Sequence, residues 1–98
     1  MINGITSTGF SYQYEEKVLK DWEYLNNAAK IMDPETTDAE KFRAVNYALF
    51  AVLGKEQAKA LLNHVRRNND GVAETIPVMT ELNEIVKAAR KDEKEEKN

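Results

Sequence analysis

Apolar and polar positions change period several times along this chain, and each change marks a new element. Phe10, Tyr12 and Tyr14 alternate with polar residues, the period of two that predicts a strand burying one face. A single strand cannot satisfy its backbone groups. This one pairs either with Ile2–Thr6 across a turn at Ser7–Gly9 or with another chain. From Glu15 the period becomes helical. Val18, Trp22, Leu25, Ala29 and Met32 form one stripe, with Glu15 and Glu16 placed against the positive end of the helix dipole. Asp33-Pro34 ends that helix, because the residue before proline resists the α conformation.

Thr37-Asp38-Ala39-Glu40 has the residues of a capping box and opens a second helix. Between Phe42 and Leu53 only Arg43 and Asn46 are polar, which predicts a central helix with Phe42, Val45, Leu49 and Val52 as its main core stripe. Gly54 closes it. A third helix is predicted from about Lys55 to Asn68 on the face Ala58, Leu61, Leu62 and Val65, until Asn68-Asn69-Asp70-Gly71 breaks it. A fourth begins near Pro77, capped by Thr75 or Ile76, with the stripe Met79, Leu82, Val86 and Ala89 flanked by Val78 and Ile85. The expected fold is therefore mainly α: a bundle of about four helices with a short N-terminal strand or hairpin. Residues 1–89 make one domain, and the charged residues 90–98 a frayed tail.

Composition narrows the function. The 98 residues carry 32% charged and 42% hydrophobic side chains with a net charge of −3. The absence of cysteine excludes disulfides and thiolate chemistry. No stretch nears the ~20 apolar residues of a membrane span, and Met1-Ile2-Asn3-Gly4 lacks the basic and apolar regions of a signal peptide. A cytoplasmic location is expected. Lys55, Lys59, Arg66 and Arg67 give residues 54–71 a mildly basic character between acidic flanks. That is too small a patch for specific nucleic-acid binding, whose affinity grows with each neutralised phosphate.

Chemistry-bearing patterns are equally sparse. The chain has no glycine-rich phosphate loop, no nucleophile elbow and no pair of histidines at metal-binding spacing, so no enzyme activity, metal or cofactor is predicted. His64, the single histidine, reads as a half-buried packing or helix-end residue rather than a base. Adjacent carboxylates such as Glu15/Glu16 and Asp92/Glu93 point apart on a helix and read as solvated charge. Trp22, in mid-stripe, is expected in the core.

The second helix has a further row at helical spacing: Arg43, Asn46, Tyr47 and Phe50. Two aromatics with an Arg and an Asn is the composition of an interface centre, which makes this row the candidate protein-binding site. The competing reading is that the N-terminal strand covers it.

Several local patterns then coincide: Gly9-Phe10 opening the aromatic strand, Asp21-Trp22-Glu23, Leu53-Gly54-Lys55-Glu56-Gln57, Leu61 with His64-Val65-Arg66, Asp70-Gly71-Val72, and the Met79, Leu82, Ile85 helix. Together they resemble the small tail assembly chaperones of long-tailed phages and prophages of Gram-positive bacteria, over roughly residues 8–89. The resemblance implies a cytoplasmic helper in virion assembly that coats the long, helical tape measure protein and helps tail-tube subunits polymerise around it. It implies protein partners and no cofactor, and leaves self-association open. A structural connector protein and a nucleic-acid-binding regulator are the rival readings.

Overall fold

In the computed structural model the backbone is described over residues 1–96 and the side chains over residues 1–90. The tail expected at 90–98 therefore falls almost wholly outside the described side chains, as do the carboxylates Asp92 and Glu93.

The alternating N-terminal residues fold back on the same chain. Strand β1 (Ile2–Ile5) pairs antiparallel with β2 (Ser11–Tyr14), placing Ile2 opposite Tyr14 and Gly4 opposite Tyr12. Gly9 adopts the positive φ (96°) that the turn needs, and its N–H donates to the Thr6 carbonyl at 2.9 Å. The period of two then sends Ile2, Thr6, Phe10, Tyr12 and Tyr14 to the buried face.

The first helix starts later than its apolar spacing suggests. Residues Glu16–Lys20 form a 3₁₀ turn, and Asp21 is extended (φ −67°, ψ 138°), so α1 spans Trp22–Met32. The reason is local: the Asp21 carboxylate accepts from the N–H groups of Glu23 at 3.0 Å and Tyr24 at 3.2 Å, a cap that outcompetes helix continuation. The packed face differs as well. Tyr24 is buried and Ala28 and Ile31 are partly so, whereas Trp22 is 80% exposed, Met32 83% and Leu25 51%. The expectation that Trp22 sits in the core is thus overturned.

Helix α2 (Asp38–Arg67) opens at the expected Thr37 cap, with the Glu40 carboxylate reaching back to the Thr37 hydroxyl rather than to its backbone N–H. The Glu40 N–H donates to Thr37 Oγ1 at 3.2 Å, and the Thr37 hydroxyl donates to the Glu40 carboxylate at 2.9 Å. Gly54 breaks it with non-helical backbone (φ 77°, ψ 166°). The two helices expected over 37–53 and 55–68 are the two arms of this one bent element, and the helix count is three rather than four. On the first arm Ala44, Val45, Ala48, Leu49, Val52 and Leu53 are buried. Phe42, expected in the core stripe, is 58% exposed. The buried face is instead turned toward Ala44 and Ala48, whose small side chains let neighbouring elements approach closely.

Asp70 (φ 51°) and Gly71 (φ 85°) make the sharp exit from α2, and the Gly71 N–H donates to the Arg66 carbonyl at 2.7 Å. Helix α3 (Thr75–Glu96) starts at Thr75, with Pro77 harmless in its first turn. Its buried line is Val78, Leu82, Ile85 and Ala89, while Met79 and Val86 lie at the margin. These residues, the hairpin aromatics and the buried face of α2 form one core. Among the described residues no helix is long and apolar enough to cross a membrane.

Candidate functional site

Helices α1 and α3 both reach α2 at Ala48, and between them they leave a groove of about 470 Å³. Ala48 forms the floor. Tyr24, Ala28, Ile31 and Met32 line one wall, and Ile76, Met79, Leu82 and Val86 the other. Thr80, Asn83 and Arg90 supply the polar rim. Ala48 is itself buried, a small side chain at the base between the two helices. The groove's lips, Met32 and Ile76, project into solvent at 83% and 76% exposure. An apolar trough with two methionines and a polar edge can bind an apolar helix face without demanding one side-chain shape, since thioethers adapt their rotamers to what they meet.

The row singled out on α2 is elsewhere. Arg43 and Asn46 are exposed, Tyr47 is 41% exposed, and Phe50 is partly buried against the core. Among the described residues the hairpin makes no side-chain hydrogen bond to them. Its polar contacts go to the second arm of α2 and to α3. Thus the four residues do not form one surface of equal exposure: Phe50 is half committed to packing, and the other three face outward.

Where the hairpin docks, the turn is held by a polar cluster that sequence reasoning missed. The Glu81 carboxylate, 5% exposed, accepts from the hydroxyls of Thr6 at 2.9 Å and Thr8 at 2.8 Å. Glu84 accepts from the Ser7 N–H at 2.6 Å and the Ser7 hydroxyl at 3.1 Å. His64 Nε2 lies 2.9 Å from Thr8 Oγ1. His64 also has the Asn68 side-chain amide nitrogen 3.3 Å from its Nε2. Its ring also packs against Phe10, with centroids 5.6 Å apart. The histidine therefore clamps the hairpin. No spacing signal could have found Glu81, because its partners lie at the other end of the chain.

Electrostatics inside the hairpin follow from burial. The Tyr14 hydroxyl donates to the Ile85 carbonyl at 2.7 Å, and burial, with nearby Tyr12 and Tyr24, pushes its pKa up to about 12. Burial likewise raises Tyr12, aided by the Glu84 charge, and raises Tyr24, where Arg90 opposes it. None of these phenols is poised to act as an acid or base near neutrality.

No protein-family model, curated protein or solved structure matches the chain.

Proposed function

We propose that this protein is a tail assembly chaperone that holds amphipathic helical segments of a tape measure protein in the groove between α1 and α3. The observation that carries the reading is the groove: a concave apolar trough between two helices, with exposed Met32 and Ile76 at its lips and polar groups at its rim. A long helical client with repeated apolar stripes presents anchors at i, i+3, i+4 and i+7, which such a trough can accept one segment at a time. Weak, repeated binding of this kind keeps apolar stripes from one another until tube subunits replace the chaperone. The net charge of −3 keeps the coated client dispersed. The local sequence patterns that resemble this chaperone family supply the identity of the client.

Coexpression of the full chain with a tape measure protein tests the reading. Met32→Glu combined with Ile76→Glu places two charges at the lips, at positions already exposed, and should leave the helical signal intact while returning the client to the insoluble fraction. A folded double variant that solubilises the client as well as the parent does would overturn it.

A further inference from the structure

The outer face of α1 carries Trp22, Leu25, Ala29 and Met32, all exposed, at steps of three, four and three. Such spacing is the a–d–a–d seam of two heptads, the pattern of a helix that packs lengthwise on one other helix. The inward face of α1 is already occupied through Tyr24, Ala28 and Ile31, so the helix is apolar on two faces and, among the described residues, only one is covered. We infer that this outer stripe is the contact between two copies of the chain, their α1 helices packed antiparallel about a two-fold axis.

Side-chain volume selects the occupant and its direction. Antiparallel pairing sets Trp22 of one copy against Met32 of the other, and Leu25 against Ala29, so that each layer joins a larger residue to a smaller one. The Trp22–Met32 layer also brings a thioether to an aromatic ring, a favourable contact. Parallel pairing would stack indole on indole and leave a gap at the two alanines, the combination of overpacking and void that cores avoid. Electrostatics agree. Antiparallel helices oppose their dipoles, and the acidic first turn (Glu23) of one copy then lies alongside the basic last turn (Lys30) of the other.

Area sets the strength. Trp22, Leu25 and Met32 expose on the order of 450 Å² of side chain per copy, so a symmetric pair covers ~900–1,200 Å² once flanking atoms are included. That is the lower end of specific interfaces, and the expected dimer is reversible at micromolar concentration. Met32 belongs both to this seam and to the lip of the groove, whereas Leu25 and Ala29 do not line the groove, so variants at those two positions separate this contact from client binding.

Sedimentation equilibrium on the full chain, with circular dichroism to verify folding, tests it. The parent should associate to a dimer, and the emission of its single tryptophan should shift to the blue as it does. Leu25→Glu and Ala29→Glu, both at exposed helical positions, should each weaken association at least ~tenfold. The chain has no cysteine, so Leu25→Cys and Ala29→Cys provide single thiols for crosslinking. Oxidising an equimolar mixture of the two variants should yield the heterodisulfide well beyond the twofold excess over either homodisulfide that random pairing gives. A chain that stays monomeric to ~0.1 mM, well above a micromolar Kd, would overturn the proposal. So would a dimer indifferent to both glutamates, or a heterodisulfide at or below the random ratio.

Discussion

Gln57 completes the free edge of β2 as a further strand would: its Oε1 accepts from the Gln13 N–H at 2.9 Å and its Nε2 donates to the Gln13 carbonyl at 2.7 Å. Gln13 stands opposite Asn3 in the ladder. With both main-chain groups of Gln13 turned outward to Gln57, alternation of the antiparallel pattern makes Ile2–Tyr14 and Gly4–Tyr12 the hydrogen-bonded pairs of the hairpin. One side chain of α2 thereby fixes the strand against the helix and blocks an edge that could otherwise recruit another strand.

Replacing Gln57 with Leu removes both bonds, together with the 2.9 Å bond from Nε2 to the Leu53 carbonyl. These groups are close enough to solvent for water to replace the lost partner, so the expected cost is about 1 kcal/mol in urea unfolding. Hydrogen exchange should single out the Gln13 amide as the site whose protection falls furthest.

Gly54→Ala tests the bend in α2. A Cβ there would meet nothing within 4 Å, so space is not at issue. The backbone itself (φ 77°, ψ 166°) is a conformation that only glycine adopts readily. The variant should lose ~1–3 kcal/mol of stability, and thermal or urea unfolding would show it. An unchanged midpoint would mean that the two arms can straighten without disturbing what packs on them.

Trp22→Ala should cost less than ~1 kcal/mol below the concentration at which the chain associates, because the indole is 80% exposed. A buried tryptophan at this position would cost ~3–5 kcal/mol. Equilibrium unfolding in dilute solution separates the two outcomes, and the emission of the native monomer should be that of a hydrated indole.

Alkaline pH should unfold the protein through its phenols. The Tyr14 pKa is raised from 10.0 to about 12 in the folded state, chiefly by burial. A folded pKa above the unfolded one means that the stabilisation is complete below about pH 10 and is lost as pH rises toward 12. Tyr12 and Tyr24 shift in the same direction and add to the loss. In a pH series of unfolding curves, Tyr14→Phe should be the less stable protein near neutrality, lacking the bond to the Ile85 carbonyl, yet should fall less steeply between pH 10 and 12.

Tyr47→Ser and Phe50→Ser should behave differently from each other. Tyr47 is 41% exposed, and its replacement should change stability by less than ~1 kcal/mol. Phe50 packs partly on the core, and its replacement should cost ~2 kcal/mol or more. If both variants keep the thermal midpoint of the parent, Phe50 belongs to the outward surface along with Tyr47.

How far the sequence revealed this fold depends on how local each signal was. The hairpin, the Thr37–Glu40 cap and the exit at Asp70-Gly71 were legible because each is decided by residues within a few positions of one another. The phase of α1 was not. Two apolar stripes compete on it, and the one with the larger side chains, Trp22 to Met32, is the one left outside. The choice is made where α1 packs on α2, with Tyr24, Ala28 and Ile31 gathered around the small side chain of Ala48. The start of α1 was hidden for a simpler reason: apolar spacing continues from Val18 through Asp21, and the capping bonds of Asp21 interrupt the helix without interrupting the stripe. The groove draws on three helices, so periodicity along any one of them could not disclose it, although Met32, Ile76 and Met79 are visible as residues. The row Arg43, Asn46, Tyr47 was legible as outward-facing, but Phe50 was not separable from it.

The bonds at the hairpin turn also set a timetable for the nascent chain. Thr8 is joined to Glu81 and Ser7 to Glu84, partners 73 and 77 residues further along. At ~5–20 residues per second on a ribosome, Thr8 is made roughly 4–15 s before Glu81. Until Gln57 and His64 of α2 follow, Phe10, Tyr12 and Tyr14 have only the opposing strand beside them, and a two-stranded hairpin is barely stable alone. The α3 side of this early-made aromatic face is therefore the last to be closed, when Glu81, Glu84 and Ile85 arrive.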